Sequence, residues 1–148
     1  MLKICIIACY FGKLPIYFNL WKQSCETNDT IDFLFITDQD VESTSNNFIV
    51  KKMQIFQLQD LIRKTLYMQD AKLKYPYKIC DFRPAFGLIF EKELKNYDFW
   101  GHCDLDVIFG DLRQFFTEEV LIKYQKILKN GNLSLYKNQE NMNRLFMK

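Results

Sequence analysis

Two unbroken apolar segments near the start of the chain, KICIIAC at residues 3–9 and IDFLFIT at residues 31–37, most constrain its fold. Neither segment alternates apolar with polar residues, and this pattern is typical of parallel strands that are covered on both faces. Between them, from Pro15 to about Cys25, apolar residues recur at helical spacing. These residues are Ile16, Leu20 and Trp21. A strand, a helix and a strand in succession predict two neighbouring parallel strands.

Shorter apolar segments later in the chain predict more strands. They lie at residues 48–51, 97–103 and 133–136. Residues 107–109 are again apolar, so we expect the strand predicted at residues 97–103 to continue there. The Asn130-Gly131 dipeptide before the last segment is typical of a turn.

Between these segments, apolar residues recur at the spacing of an α-helix. Apolar residues on one face predict an amphipathic helix over residues 58–68. A second helix is predicted from Asp81, which would cap it, to about residue 95, with Pro84 in the first turn, where proline is tolerated. Asn138 would cap a last helix. Strands that alternate with helices predict an α/β domain with a largely parallel sheet.

The composition limits the number of domains and the kinds of partner. With 148 residues, of which 49% are hydrophobic, the chain suits one domain over residues 1–148 with a single core. The formal charge of +2 gives no basic field of the kind that drives nonspecific nucleic-acid binding, so we expect no nucleic-acid partner. No segment approaches the ~20 apolar residues of a membrane-spanning helix. We expect a soluble protein that associates with a membrane at most peripherally.

The cysteines indicate a reducing compartment. Five cysteines form no C-x-x-C pair and the chain has one histidine, His102, so neither a zinc site nor an even disulfide framework fits. We expect reduced, mostly buried thiols in a cytoplasmic protein. His102 follows Phe99 and Trp100, which are expected in the core, and a hydrogen-bonded structural role is the commoner one for such a histidine.

The segment FWGHCDLDVIFGD at residues 99–111 contains the residue pair that most needs explanation. Asp104 and Asp106 directly follow a predicted strand, and desolvated carboxylates rarely lack a charge or a metal as partner. Residues two apart in a strand share a face, so both carboxylates could converge on one cation while Leu105 points into the core. A small number of carboxylates, completed by water and phosphate, suits Mg²⁺ or Mn²⁺.

Four interpretations of this D-x-D motif compete. A calcium loop does not fit, because Ile108 occupies the position of the third oxygen ligand. A phosphatase of the haloacid dehalogenase type would use the first aspartate as its nucleophile, but such proteins normally carry the motif on the first strand. A nucleotide-sugar transferase would use both carboxylates to hold a metal on the donor diphosphate. A solvated turn without any ligand is the fourth interpretation.

The segment YKICDFRPAFGLIFEKELKNYDFWGHCDLDVIFGDL at residues 77–112, followed by GNLSLYKN at residues 131–138, resembles a family of bacterial glycosyltransferases found among surface-polysaccharide genes. The resemblance extends over nearly the whole chain and implies a GT-A-like fold, a three-layer α/β/α domain. It also implies transfer of a sugar from a nucleotide-diphosphate donor, expected to be UDP-linked, to a hydroxyl of a glycan acceptor. The cofactor would be Mn²⁺ or Mg²⁺, which acts as a Lewis acid on the departing diphosphate.

The same resemblance implies donor-site roles for individual residues. Tyr10 and Phe11, after the first strand, would border the nucleotide, and Asp38, after the second strand, would meet the base. Asp104 would bind ribose and metal, with Asp106 as the second metal ligand. The segment before the D-x-D motif would also face the donor. Its candidate residues are Lys78, Asp81 and Arg83.

General α/β geometry supports three of these positions. The carboxyl ends of parallel strands line the ligand crevice, and Tyr10, Asp38 and Asp104 all follow predicted strands. A helix that begins at Asp81 would in addition present its N-terminus to a diphosphate. The alternative is that Asp81 only caps the helix, while the two basic residues beside it are solvated.

The sequence departs from the family pattern in two respects. Few residues follow Asp106, so we expect the acceptor half to be missing, and Asn132 stands where the pattern leads us to expect a histidine. No residue is identified as a catalytic base. The alternative functions are therefore an inactive nucleotide-sugar-binding module and, third, a D-x-D phosphatase. We expect weak or absent sugar transfer by this chain alone.

Overall fold

The two apolar segments form adjacent parallel strands in the interior of a sheet. In the computed structural model, which describes residues 1–129 and 131–147, strand β1 spans Ile4–Tyr10 and strand β2 spans Asp32–Thr37. They pair in parallel from Cys5 opposite Asp32 to Tyr10 opposite Thr37. Most residues of both strands are buried, which confirms the prediction of parallel neighbours covered on two faces.

Four further strands complete the sheet in the described part of the chain. They are β3 (Phe48–Lys52), β4 (Phe99–Cys103), β5 (Lys126–Ile127) and β6 (Leu133–Lys137). The strand order is β3-β2-β1-β4-β6-β5, and the first four of these run parallel. Strand β6 is antiparallel to both β4 and β5, so the sheet is mixed but mostly parallel. The strand order reverses between β1 and β4, and α/β sheets bind their ligands at such a point.

Helices pack on both faces of this sheet. The α-helices are α1 (Phe18–Glu26), α2 (Ile55–Leu66), α3 (Phe86–Ile89), α4 (Glu91–Leu94), α5 (Glu118–Lys123) and α6 (Glu140–Asn143). The 3₁₀ segments span Pro76–Ala85, Leu112–Gln114 and Leu145–Met147. One core joins α2, α3 and α6 to Trp100, and the other joins α1 and α5 to Phe33. Successive residues of β1 enter opposite cores, as Cys5 and Ile6 do, which confirms the α/β class.

Gly87 allows α3 to lie directly against the sheet. A Cβ at this position would come within 2.6 Å of the Trp100 Nε1 and 2.7 Å of the Asn143 Oδ1. These two atoms are joined by a buried hydrogen bond of 2.7 Å, in which the indole N–H donates. The indole also stacks on Tyr136, with ring centroids 4.4 Å apart. The polar atom of the tryptophan is thereby satisfied inside the core.

The predicted helix start at Asp81 is wrong, although α3 and α4 both lie within the predicted range to about residue 95. Pro76–Ala85 form a 3₁₀ segment, and the α-helix begins only at Phe86. Pro84 explains the difference, because proline disfavours α-helical geometry in the residue before it and cannot donate a backbone hydrogen bond. Asp81 is therefore not a helix N-cap, and a helix N-terminus at this residue cannot be invoked for a diphosphate.

Helix α1 buries Trp21, as predicted, but its other buried positions differ from the predicted ones. A turn precedes the helix, with the Phe18 N–H donating to the Pro15 carbonyl at 3.0 Å. The side chains of Ile16 and Leu20 are exposed. The buried positions are Phe18, Trp21, Ser24 and Cys25. Both sets have helical spacing, so periodicity alone did not select the correct face.

Two later predictions are also wrong. Residues 107–109 form no strand, because the chain bends directly after β4. Asn138 does not cap α6, and its side-chain amide donates instead to the Leu94 carbonyl at 2.8 Å. Asn130 of the predicted turn lies outside the described residues. Across residues 1–129 and 131–147, no helix combines the length and apolarity needed to cross a membrane.

Candidate functional site

A cleft of about 720 Å³ opens at the carboxyl edge of the sheet, at the ends of β1 and β4. Tyr10 and Phe11 line it from β1, and Asp104 and Asp106 line it from the chain after β4. Arg83 reaches the same cleft from the 3₁₀ segment. The cleft therefore lies where the strand order reverses, and it unites five of the residues predicted from the sequence.

Arg83 and Asp104 form an ion pair within this cleft, in which the Arg83 Nη2 donates to the Asp104 Oδ1. The two side chains are only 20% and 27% exposed, so water screens this pair less than a pair on the open surface. Burial acts to lower the pKa of Arg83, but the hydrogen bond to Asp104 and the charge of that carboxylate raise it, with a net upward shift. The cleft thus contains a fixed positive charge held against a carboxylate.

The backbone fixes Asp104, while Asp106 is less constrained. The Asp104 N–H donates to the Asn132 carbonyl at 2.9 Å, which ties the end of β4 to the start of β6. Leu105 is buried, as predicted, and anchors the bend. Asp106 is exposed at the cleft wall. The two carboxylates thus differ in environment, although both line the same cleft.

These carboxylates fit a divalent cation when a phosphate ligand completes its coordination. In the part of the chain that the structure describes, no group of three or more histidine, cysteine, aspartate or glutamate side chains could hold a metal ion. Proteins commonly bind Mg²⁺ through one or two carboxylates together with substrate phosphates and water. Asp104 and Asp106 supply that number of hard oxygen ligands, so the donor set suits Mg²⁺ or Mn²⁺.

Two tyrosines of the cleft wall were not identified from the sequence. Tyr17 directly precedes α1 and Tyr77 lies in the 3₁₀ segment, and their side chains are 43% and 79% exposed. Exposed aromatic rings of this kind offer an apolar face to a nucleobase or a sugar ring. No spacing in the sequence links them, because the wall is assembled from separate elements.

Asp38 holds the loop after β1 rather than lining the cleft. Its Oδ1 accepts hydrogen bonds from the Gly12 N–H and the Gln39 Nε2, both at 2.9 Å. The hydrogen bond from Gln39, followed by the one from Gly12, lowers the pKa of Asp38 despite its partial desolvation. Gly12 has φ +89°, a left-handed conformation that favours glycine. Asp38 therefore shapes the loop that begins with Phe11.

Lys78 and Asp81 also lie outside the cleft wall. They pair with each other, with 2.5 Å between the Lys78 Nζ and the Asp81 Oδ2, and both side chains are largely exposed. The hydrogen bond to Asp81 raises the pKa of Lys78. Of the three candidates that precede the D-x-D motif, only Arg83 enters the cleft.

His102 is buried next to the site, and it has an unpaired ring nitrogen. Its side chain is 6% exposed, and among the described residues its Nδ1 has no hydrogen-bond partner. Burial, followed by the positive charges of Arg83 and Lys126, lowers the pKa of His102 to about 4. The hydrogen bond expected for a structural histidine is not found at this nitrogen among the described residues. Because of its lowered pKa, the imidazole is neutral at pH 7.

Three thiols complete the cleft wall. Cys9, Cys80 and Cys103 line it, and burial raises the pKa of each. All five cysteines of the chain are free, as predicted. Because a thiolate is the nucleophilic form, the raised pKa values argue against cysteine chemistry in this cleft.

Comparison with known proteins gives a family but no activity. Residues 6–148 match a family described as a family of unknown function (DUF6625). No curated protein and no solved structure matches the chain.

Proposed function

We propose that this chain, which belongs to the DUF6625 family of unknown function, binds a nucleotide-diphosphate sugar in the cleft between β1 and β4 and acts as a glycosyltransferase of the GT-A type. The donor is UDP-linked, the cofactor is Mn²⁺ or Mg²⁺, and the acceptor is a glycan hydroxyl. One observation carries the proposal: the D-x-D carboxylates, Arg83 and the residues after β1 all line one cleft at the reversal of strand order.

The charges of the cleft suit a diphosphate with its cation. Arg83 presents a planar guanidinium, which matches phosphate geometry better than an ammonium does. Asp104 and Asp106 supply hard oxygen ligands in the same cleft. A bound Mn²⁺ or Mg²⁺ supplies charge neutralisation of the diphosphate leaving group. Without a cation, a dianionic pair of carboxylates would repel that group.

The aromatic residues suit the remaining parts of the donor. Tyr10 ends β1 and Phe11 follows it, at the same edge of the sheet as the carboxylates. Tyr17 and Tyr77 offer exposed ring faces at the cleft wall, where a nucleobase or a pyranose could stack. The free thiols are compatible with a location in the cytoplasm. Transfer from a nucleotide sugar would take place in that compartment.

A binding module without turnover is the second candidate function. Asp104 and Asp106 are the only carboxylates among the described residues of the cleft wall, and Asp104 is paired with Arg83. An inverting transferase needs a further carboxylate or an equivalent base that is positioned toward the acceptor. The described cleft wall therefore supports donor binding more directly than it supports the transfer step.

Calorimetric titration of UDP, with Mn²⁺ or with EDTA, tests the donor site. We expect wild type to bind UDP in Mn²⁺ and to lose most of its affinity in EDTA. Asp104→Asn and Asp106→Asn should each weaken binding, because asparagine keeps the shape but deletes the charge that holds the cation. Asp81→Asn is the matched control, since it makes the same chemical change on an exposed side chain outside the cleft wall.

Equal affinity of wild type in Mn²⁺ and EDTA would contradict the metal-dependent donor site. So would unchanged affinity of both cleft variants in Mn²⁺. Mass spectrometry of UDP-sugar incubations with glycan acceptors then separates the functions. A glycosylated acceptor indicates a transferase, bound but unconsumed donor indicates a binding module, and release of inorganic phosphate from phosphomonoesters would indicate the D-x-D phosphatase.

A further inference from the structure

The ion pair between Arg83 and Asp104 places the cation-binding and anion-binding groups of the cleft in direct contact. The Asp104 Oδ1 accepts a hydrogen bond from Arg83, so an approaching divalent cation meets a carboxylate that already has a positive partner. Arg83 in turn is engaged by a carboxylate rather than being free for a phosphate. The bond uses one carboxylate oxygen and one N–H group, but the charge of each group weakens the binding of a ligand of like charge at the other.

We propose that Arg83 releases Asp104 and binds the diphosphate of the ligand instead. This exchange makes divalent-cation binding and diphosphate binding mutually dependent. The inference rests on the proposed donor site and specifies how its two ligands are coupled. A diphosphate gives Arg83 an alternative anion, which frees Asp104 for the cation. A cation on Asp104 repels Arg83, which favours its transfer to the phosphate.

The surroundings of the pair make Arg83 the partner that moves. Asp104 is held by its own N–H, which donates to the Asn132 carbonyl at 2.9 Å, and by the buried neighbour Leu105. For Arg83, the bond to Asp104 is the one side-chain hydrogen bond found among the described residues. A long side chain with one bond can turn within the cleft, whereas the carboxylate cannot leave the end of β4.

Among the described residues of the cleft wall, Arg83 is the one basic side chain. Asp106 is exposed at the same wall, and a single solvated carboxylate binds a divalent cation weakly. Tight cation binding therefore requires Asp104, where the cation competes with the charge of Arg83.

Mn²⁺ titrations without nucleotide measure the competition directly. The probe is Mn²⁺ alone, with its free concentration read from the electron paramagnetic resonance signal of the hydrated ion. Arg83→Gln should bind Mn²⁺ on the order of 10-fold more tightly than wild type, because the competing cation is removed. Arg83→Lys keeps a positive charge and should bind Mn²⁺ nearly as weakly as wild type.

Lys78→Gln is the matched control for net charge. It removes one positive charge from the same 3₁₀ segment, but Lys78 pairs with Asp81 outside the cleft wall. We expect Mn²⁺ affinity close to that of wild type. Melting temperatures of all variants check that the fold is intact, and Arg83→Lys remains informative if Arg83→Gln does not fold.

The same titrations with saturating UDP measure the coupling. UDP should tighten Mn²⁺ binding to wild type and have a much smaller effect on Arg83→Gln, whose UDP affinity should itself be lower. The proposal is overturned if Arg83→Gln binds Mn²⁺ no more tightly than Lys78→Gln, or if UDP tightens Mn²⁺ binding equally in both. Absence of UDP binding to wild type would instead overturn the donor site, while the Mn²⁺-only comparison would still decide whether Arg83 competes with the cation.

Discussion

Acidification should destabilise the protein through one side chain, His102. Its imidazole is buried on β4, and burial, with the charges of Arg83 and Lys126, lowers its pKa from 6.5 to about 4. In the unfolded chain the imidazole titrates near its ordinary pKa. Between those two values the unfolded state binds a proton that the native state does not bind. The free energy of unfolding therefore falls as the pH falls through this interval, and it is constant with respect to this group above it.

The two pKa values set the size of the effect. The interval from 6.5 to about 4 corresponds to about 3 kcal/mol, at about 1.4 kcal/mol per pH unit. About 2 kcal/mol of this should be lost between about pH 7.5 and about pH 5. The groups that face His102 are Arg83, Lys126 and the Tyr136 ring, whose centroid is 6.0 Å from that of the imidazole. Asp38 has a lowered pKa and loses its contribution only at lower pH.

Two measurements test this prediction. Because the chain has one histidine, the imidazole C–H resonances in a proton NMR titration need no assignment. Urea unfolding of wild type and His102→Gln over the same pH range should show a slope in wild type that the variant lacks. The comparison uses slopes, so a packing defect in the variant does not affect it. An imidazole that titrates near pH 6.5, or equal slopes in the two proteins, would refute the reasoning.

Three further predictions concern the cleft and the core beneath it. Asp104→Asn should lower the free energy of unfolding by about 1–2 kcal/mol, because it leaves a half-buried guanidinium unpaired, whereas Asp106→Asn should change it by less than about 0.5 kcal/mol. Urea denaturation measures both changes, and equal effects of the two substitutions would contradict the ion pair. Asn143→Leu should lower the free energy of unfolding by about 1–3 kcal/mol, because it removes the hydrogen-bond acceptor of the buried Trp100 indole. Thermal unfolding of the same substitution in a Trp100→Phe background, which lacks the indole N–H, should show a smaller loss. Tyr77→Ala should weaken UDP binding by roughly 1–3 kcal/mol if the exposed ring stacks on the base, with little change in melting temperature, and unchanged calorimetric affinity would exclude that role.

The central part of the fold could be predicted because burial on two faces leaves a strong mark on the sequence. The segments that became β1 and β2 are apolar at nearly every position, so both the strand type and the parallel pairing followed. The direction of β6 could not be predicted, because a short apolar strand has the same composition in either direction. The order of β4, β6 and β5 depends on contacts between segments that are distant in sequence.

The candidate site was predictable where it depends on strand ends and not where it depends on the 3₁₀ segment. Tyr10 and Asp104 follow β1 and β4, and parallel strands bring their ends together whatever the side chains are. Arg83 and Lys78 are similar in sequence terms, as basic residues on either side of Asp81. A 3₁₀ segment turns its residues at a different angle from an α-helix, and only Arg83 faces the cleft.

The D-x-D motif shows why a carboxylate that needs a positive partner does not by itself identify that partner. From the sequence, the cost of desolvating Asp104 pointed to a metal, yet the structure supplies the guanidinium of Arg83, a residue distant along the chain. The two cations compete for one carboxylate, so metal binding at Asp104 is favoured when Arg83 has another anion to bind. A diphosphate is such an anion, and it also supplies the ligands that two carboxylates leave missing around Mg²⁺ or Mn²⁺. In the proposed donor site, each of the two ligands would therefore favour binding of the other.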